Sequence, residues 1–130
     1  MNNVFVFGSN ESGIHGAGAA LAAKMKHGAV QGVGFGFTGN SFAIPTKDWR
    51  INTMDIEDVK FYARRFLKIA AEVQDDGSAI QFQVTRIGCG RAGFKDEDIA
   101  PLFKDAPANC KFDTAWKPWL GEGKQYWGAY

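Results

Sequence analysis

Phe5-Val-Phe-Gly-Ser-Asn-Glu-Ser-Gly-Ile-His-Gly-Ala-Gly-Ala-Ala-Leu21 decides how the chain is read. An apolar run ends at Gly8-Ser9-Asn10, and glycines then lead into an alanine-rich segment of helical composition. The order is strand, glycine loop, helix N-terminus. The first N–H groups of a helix have no partner within it. The helix dipole adds partial positive charge at the same place, which favours a phosphate. Gly13, Gly16 and Gly18 carry no side chain, so a ligand can approach the backbone closely.

Outward from this junction, Val4–Phe7 reads as a buried strand and Gly16–His27 as a helix. Ala17, Ala20, Leu21 and Met25 are its expected sheet-facing side, and Gly28 is its stop. The glycine-rich segment 28–40 reads as a short irregular strand or loop. Ser41–Ile44 is a second core strand that ends at Pro45, with Thr46, Lys47 and Asp48 just beyond it. Asp55 to Gln74 has the clearest period: Ile56, Val59, Tyr62, Ala63, Phe66, Leu67, Ala70 and Val73 share one face, and Asp55 is a plausible N-cap. Ile80–Thr85 is a third strand and runs into a second glycine loop, Arg86 to Phe94. A short helix over Lys95–Phe103 and an edge strand over Lys111–Thr114 complete the pattern.

Strand and helix alternate, which predicts an α/β layered domain with a mostly parallel sheet. Parallel strands bring their carboxyl ends to one edge, where open α/β sheets bind ligands. Three unusual segments each follow a strand: 8–18, 45–48 and 88–94. The fold is expected to bring them together. One domain over residues 1–130 is expected, with a core over about 4–115 and an aromatic tail over 116–130. The tail's rings, Trp116, Trp119, Tyr126, Trp127 and Tyr130, are expected to pack over an open face or edge; alternatively, one stacks on a nucleobase or lines a dimer contact.

Composition narrows the function. The chain has 130 residues, 45% hydrophobic and 22% charged, and a net charge of +1. Nothing in that balance argues for bulk electrostatic binding of nucleic acid. No apolar segment approaches the roughly 20 residues that span a membrane. The N-terminus lacks a signal-peptide pattern, so a cytoplasmic protein is expected, with a monomer favoured. Cys89, Cys110, His15 and His27 have no zinc spacing, and neither a metal nor a cofactor is expected.

Both standard nucleotide fingerprints fail. No lysine and Ser/Thr follow the first glycines, as a P-loop requires. Four residues separate the strand from Gly13, and no acidic residue stands about 20 further on, as a dinucleotide fold requires. Two glycine loops remain, and two loops grip linked phosphates from opposite sides. Cys89 reads as a small residue in a tight loop. His15, inside the first loop, is a candidate phosphate donor or acid/base, or else a solvated loop residue.

These residues resemble the macro domains, the ADP-ribose-binding α/β/α family. Phe7-Gly-Ser-Asn10 is similar to that family's first core strand, Gly13-Ile-His-Gly-Ala-Gly-Ala-Ala20 to its first phosphate loop, and Arg86 to Phe94 to the loop that wraps the diphosphate. The nearest branch contains the terminal ADP-ribose protein glycohydrolase and the antitoxins that remove ADP-ribose from DNA. Its Gly-x-Gly helix entry, Thr-Lys pair and Ile-Gly-Cys-Gly loop have counterparts here in Gly16–Ala20, Thr46-Lys47 and Ile87–Gly90.

The resemblance implies a minimal three-layer α/β/α domain with a mostly parallel mixed sheet. It implies ligand contacts from Gly8, Ser9, Gly13, Ile14, Gly16, Ala17, Gly18 and Thr46, and from Ile87, Gly88, Cys89, Gly90, Arg91, Ala92, Gly93 and Phe94. Lys47 would attack the anomeric carbon of the distal ribose and Asn10 would orient that ribose. A lysine partly desolvated in a pocket loses its proton more readily and becomes nucleophilic. The branch has an aspartate where this chain has Ala92, with Asp48 or His15 as possible substitutes. The family's upstream Gly-Asp-Ile segment, which reads adenine, has no counterpart. Three functions follow as expectations: hydrolysis of an ADP-ribosyl bond on a modified protein or nucleic acid, non-catalytic capture of a soluble ADP-ribose-type nucleotide, and an ADP-ribose 1″-phosphate phosphatase using His15.

Overall fold

The computed structural model describes residues 3–130. A six-stranded sheet in the order β2-β3-β1-β4-β5-β6 forms its centre. The strands are β1 (Asn3–Asn10), β2 (Gly36–Thr38), β3 (Ser41–Lys47), β4 (Gln81–Val84), β5 (Cys110–Asp113) and β6 (Gln125–Gly128). All neighbours pair in parallel except β2 and β3, which are antiparallel. The helices are α1 (Gly18–Lys26), α2 (Ile56–Asp75), α3 (Asp96–Ile99) and α4 (Lys117–Leu120). The architecture is mixed α/β and is compatible with three layers.

Alternation along β1 sorts the two faces. Val4 and Val6 join Phe42, Ile44, Phe82, Val84 and Phe112 beneath α2, where Val59, Ala63, Phe66 and Ala70 are buried. Phe5 and Phe7 point the other way, with Ala43, toward Ala20, Ala23 and Ala29. The thick face is aromatic: Phe66 meets Phe42 at 5.0 Å and Phe82 at 5.1 Å, both edge-on. The thin face is closed by one nine-residue helix and by the tail, where the Tyr130 ring lies 5.9 Å from Phe5.

Several expected boundaries move. β1 continues through Gly8 and Ser9 to Asn10. β3 does not stop at Pro45 but runs to Lys47, so Thr46 and Lys47 belong to the strand. β2 pairs with β3 only up to Ala43, which leaves Pro45 with a single strand neighbour and makes its missing N–H tolerable. α1 begins at Gly18 instead of Gly16, because Ala17 is extended at φ −158° and ψ 163°. Its buried residues are Ala20 and Ala23, whereas Leu21 and Met25 are exposed. Asp55 occupies the N-cap of α2 but makes no side-chain capping bond.

The 95–103 segment is α3 followed by a 3₁₀ turn, Ala100–Phe103, which accommodates Pro101. β5 is interior, because β6 pairs outside it. Trp116 is no surface ring: it is fully buried, stacked at 5.5 Å on Phe103. Residues assigned to a tail thus complete both the core and the sheet.

Candidate active site

β1, β3 and β4 point their carboxyl ends to the same edge, and each leads into a loop there: residues 11–17, 48–53 and 85–95. Together they wall a cavity of about 610 Å³. Gly16, Ala17 and Gly18 line it from the first loop, and Ile87 to Ala92 from the third. The two glycine segments share one cleft. The side chain of Arg91 reaches across it: its Cδ and Nε lie 4.0 Å from where a Cβ on Gly18 would stand.

The first loop is held from behind. Asn10 Nδ2 donates to the Ile14 carbonyl at 2.8 Å, and Asn10 Oδ1 accepts from the Ile14 N–H at 3.0 Å. Both functional groups of Asn10 therefore pin the loop, which leaves one Nδ2 hydrogen for a ligand. Gly13 packs against the segment 28–33 so tightly that a Cβ would fall 2.3 Å from the Gly32 carbonyl carbon. His15 anchors to the same segment: its N–H donates to Gln31 Oε1 at 2.7 Å, and its Nε2 meets the Val30 carbonyl at 3.1 Å. The first N–H to find a partner in α1 is that of Leu21, on Ala17 at 3.1 Å. The N–H groups of Gly18, Ala19 and Ala20 precede it, and these residues line the cavity.

The third loop is braced at its base. Arg86 grips Asp96 through Nε at 2.8 Å and Nη2 at 2.6 Å, and Trp116 Nε1 donates to the same carboxylate at 2.7 Å. The Arg86 bonds, reinforced by Trp116, hold the Asp96 carboxyl below its usual range. Burial, and the nearby Asp96 carboxylate, push the Cys89 thiol up to about 12, so it stays protonated at neutral pH and is no nucleophile.

Lys47 lies at one end of the cavity. A bulge places it there: Ser9 pairs with Pro45, but Asn10 pairs with Lys47, so Thr46 is the extra residue. The 48–53 loop ties this end shut on both sides. Ser12 Oγ donates to the Trp49 carbonyl, and Thr53 Oγ1 donates to the Ala92 carbonyl at 2.9 Å. Asp48 turns inward, its Oδ1 accepting the N–H groups of Arg50 and Asn52, both at 2.9 Å. Ile51 lines the cavity with φ 66°, a costly conformation for a β-branched residue.

The other end lies beyond β4 and β5. Asp113, Ala115, Ala129 and Tyr130 form it. From β3 to β5 there are three strand spacings, about 14 Å in all. The site is thus elongated across the sheet edge, with Lys47 at the β3 end and Asp113 at the β5 end.

Of the expected site residues, Gly8, Ser9, Asn10, Ile14, Gly16, Ala17, Gly18, Thr46, Lys47 and Ile87 to Ala92 all line this cavity. Four do not. Gly13 serves loop–loop packing, and Gly93 and Phe94 follow the loop's return, where Phe94 packs into the core. His15 is fully buried against the edge of Phe7 and does not reach the cavity. Burial, and secondarily Lys24, lowers its pKa. The sequence reading did not assign Ile51, Thr85, Arg86 or Asp113 to the site; Tyr130, one of the tail rings offered for a nucleobase, lines the cavity. Asp113 was within reach of the strand-end rule, since it closes β5 at the same edge. No family model, curated protein or solved structure matches this chain.

Proposed function

We propose that the cavity binds ADP-ribose or an ADP-ribose-derived nucleotide, and that Lys47 acts on the distal ribose to hydrolyse an ADP-ribosyl bond. The observation that carries this reading is that the two glycine loops wall one cleft that ends at Lys47. The diphosphate lies between Gly16–Gly18 and Gly88–Arg91, taking N–H groups from the start of α1 and the guanidinium of Arg91. The adenine lies toward β5, its amine toward Asp113. The distal ribose then falls beside Asn10 and Lys47.

In the hydrolytic step, Lys47 first passes one ammonium proton to solvent, and its Nζ lone pair then attacks the anomeric carbon. The bond from that carbon to the modified group breaks, and the leaving oxygen takes the electron pair. The new ammonium loses a proton to solvent, and water later displaces the amine and releases ADP-ribose. A carboxylate leaving group needs little protonation, which suits a site with Ala92 beside it.

A second reading is a non-catalytic binder that sequesters a soluble nucleotide. One observation favours it: among the described residues, Asp113 is the only carboxylate lining the cavity, and it lies at the opposite end from Lys47. The phosphatase reading loses its catalytic group, since His15 does not line the cavity.

Incubation with ADP-ribosylated protein and ADP-ribosylated DNA separates these readings. Hydrolysis predicts released ADP-ribose, abolished in Lys47→Ala with ligand affinity changed less than about tenfold. Tight binding without product over long incubation selects the binder. Unchanged turnover in Lys47→Ala excludes the lysine mechanism.

A further inference from the structure

We propose that the outward face of α2 is a docking surface for single-stranded nucleic acid, separate from the cavity. The inward face of this 20-residue helix is spent on the core through Val59, Ala63, Phe66 and Ala70. On the outward face Lys60, Arg64 and Lys68 follow one another at i,i+4 spacing, with Arg65 alongside. Like charges at that spacing repel and weaken a helix. None of these four cations makes an ion pair among the described residues, although Glu57 and Glu72 stand at the two ends of the band. The helix therefore carries an uncompensated positive band in a chain whose net charge is only +1.

An aromatic ring stands within the band. Phe61 is 55% exposed, and the Arg65 guanidinium lies 5.7 Å from its ring centroid. Lys60, Phe61, Arg64, Arg65, Lys68 and Glu57 line one shallow groove. A second such pair, outside the groove, occurs in the 48–53 loop that also walls the cavity: Trp49 is 63% exposed, with Arg50 4.6 Å over its ring. Cations that track phosphates, interleaved with exposed rings that stack on bases, are the two parts of a single-strand site. An acidic peptide would meet the cations but offer nothing to stack on Phe61. This inference does not depend on what the cavity binds.

Fluorescence anisotropy with a labelled oligo-dT strand tests it on the full chain. Saturable binding is expected, with log Kd against log salt giving a slope magnitude of about 3 for four phosphates neutralised. Arg64→Glu with Lys68→Glu should weaken binding tenfold or more and flatten the salt slope. Arg64→Gln with Lys68→Gln gives the same test without charge reversal. Phe61→Ala should weaken binding about fivefold or more while leaving the slope unchanged. Affinity for ADP-ribose should not move in any of them, so the result is independent of the cavity reading. Absence of saturable binding, or wild-type affinity in both double variants, would overturn the proposal; so would polyglutamate binding more tightly than oligo-dT, which would point to an acidic protein partner.

Discussion

The Val30 carbonyl accepts at Nε2 of His15, so that nitrogen carries the ring proton and Nδ1 is left as a bare acceptor without a partner among the described residues. Protonation would place a second N–H in a closed space beside Phe7, and burial lowers the pKa of His15 below its ordinary 6.5. The unfolded chain therefore binds the proton first. Its contribution to stability is present above pH 6.5 and is lost as pH falls through the lowered folded value. His27, stacked at 4.2 Å on Phe5 and also lowered by burial, acts in the same direction. Urea midpoints should fall between pH 7.5 and pH 5, and less so in His15→Gln; an equal fall in both proteins would contradict this role. Glycines divide by the same close inspection. A Cβ at Gly16 or Gly90 meets nothing within 4 Å, whereas one at Gly13 meets backbone at 2.3 Å and would sit at φ +71°. Gly16→Ala should keep the melting temperature and weaken ligand binding. Gly13→Ala should lose about 2 kcal/mol or more of stability, because backbone must move. Thermal melts alongside ligand titrations check both.

At the scale of elements, α2 was legible because its apolar period runs through twenty residues. Phe66 is its most committed side chain, fully buried among Phe42, Phe82 and Phe103. Phe66→Ala should cost about 3–5 kcal/mol in urea unfolding; a loss under 1 kcal/mol would mean that this packing is not what holds the sheet to the helix. The extension of β3 through Pro45 was not legible. Proline reads as a strand stop, and only the pairing shows that β2 has ended by then. Nor was the bulge at Thr46, which depends on register against β1 and which aims Lys47. β6 has no alternating apolar pattern, and its four residues are recognisable as a strand only through β5. Two of the three loops were readable because their glycines are local signals. The role of the remaining loop, 48–53, rests on bonds from Ser12 and to Ala92, residues about 40 positions away in sequence.

At the scale of the molecule, the parallel sheet turns three distant segments into one wall. Residues near 10, 47 and 88 meet because β1, β3 and β4 end at one edge, and that much follows from the alternation of strand and helix. The far half follows only in part: Asp113 closes β5 at the same edge, but Tyr130 enters through the return of the chain end over β1. No described helix is long and apolar enough to cross a membrane. The account's central claim is that a ligand with two linked phosphates and a sugar at each end spans this edge from Asp113 to Lys47. Isothermal titration of the purified chain with ADP-ribose, ADP and AMP tests it directly. The account predicts that ADP-ribose binds at least tenfold more tightly than ADP, and ADP more tightly than AMP. Equal affinity for ADP-ribose and AMP, or no heat with any of the three, would contradict it.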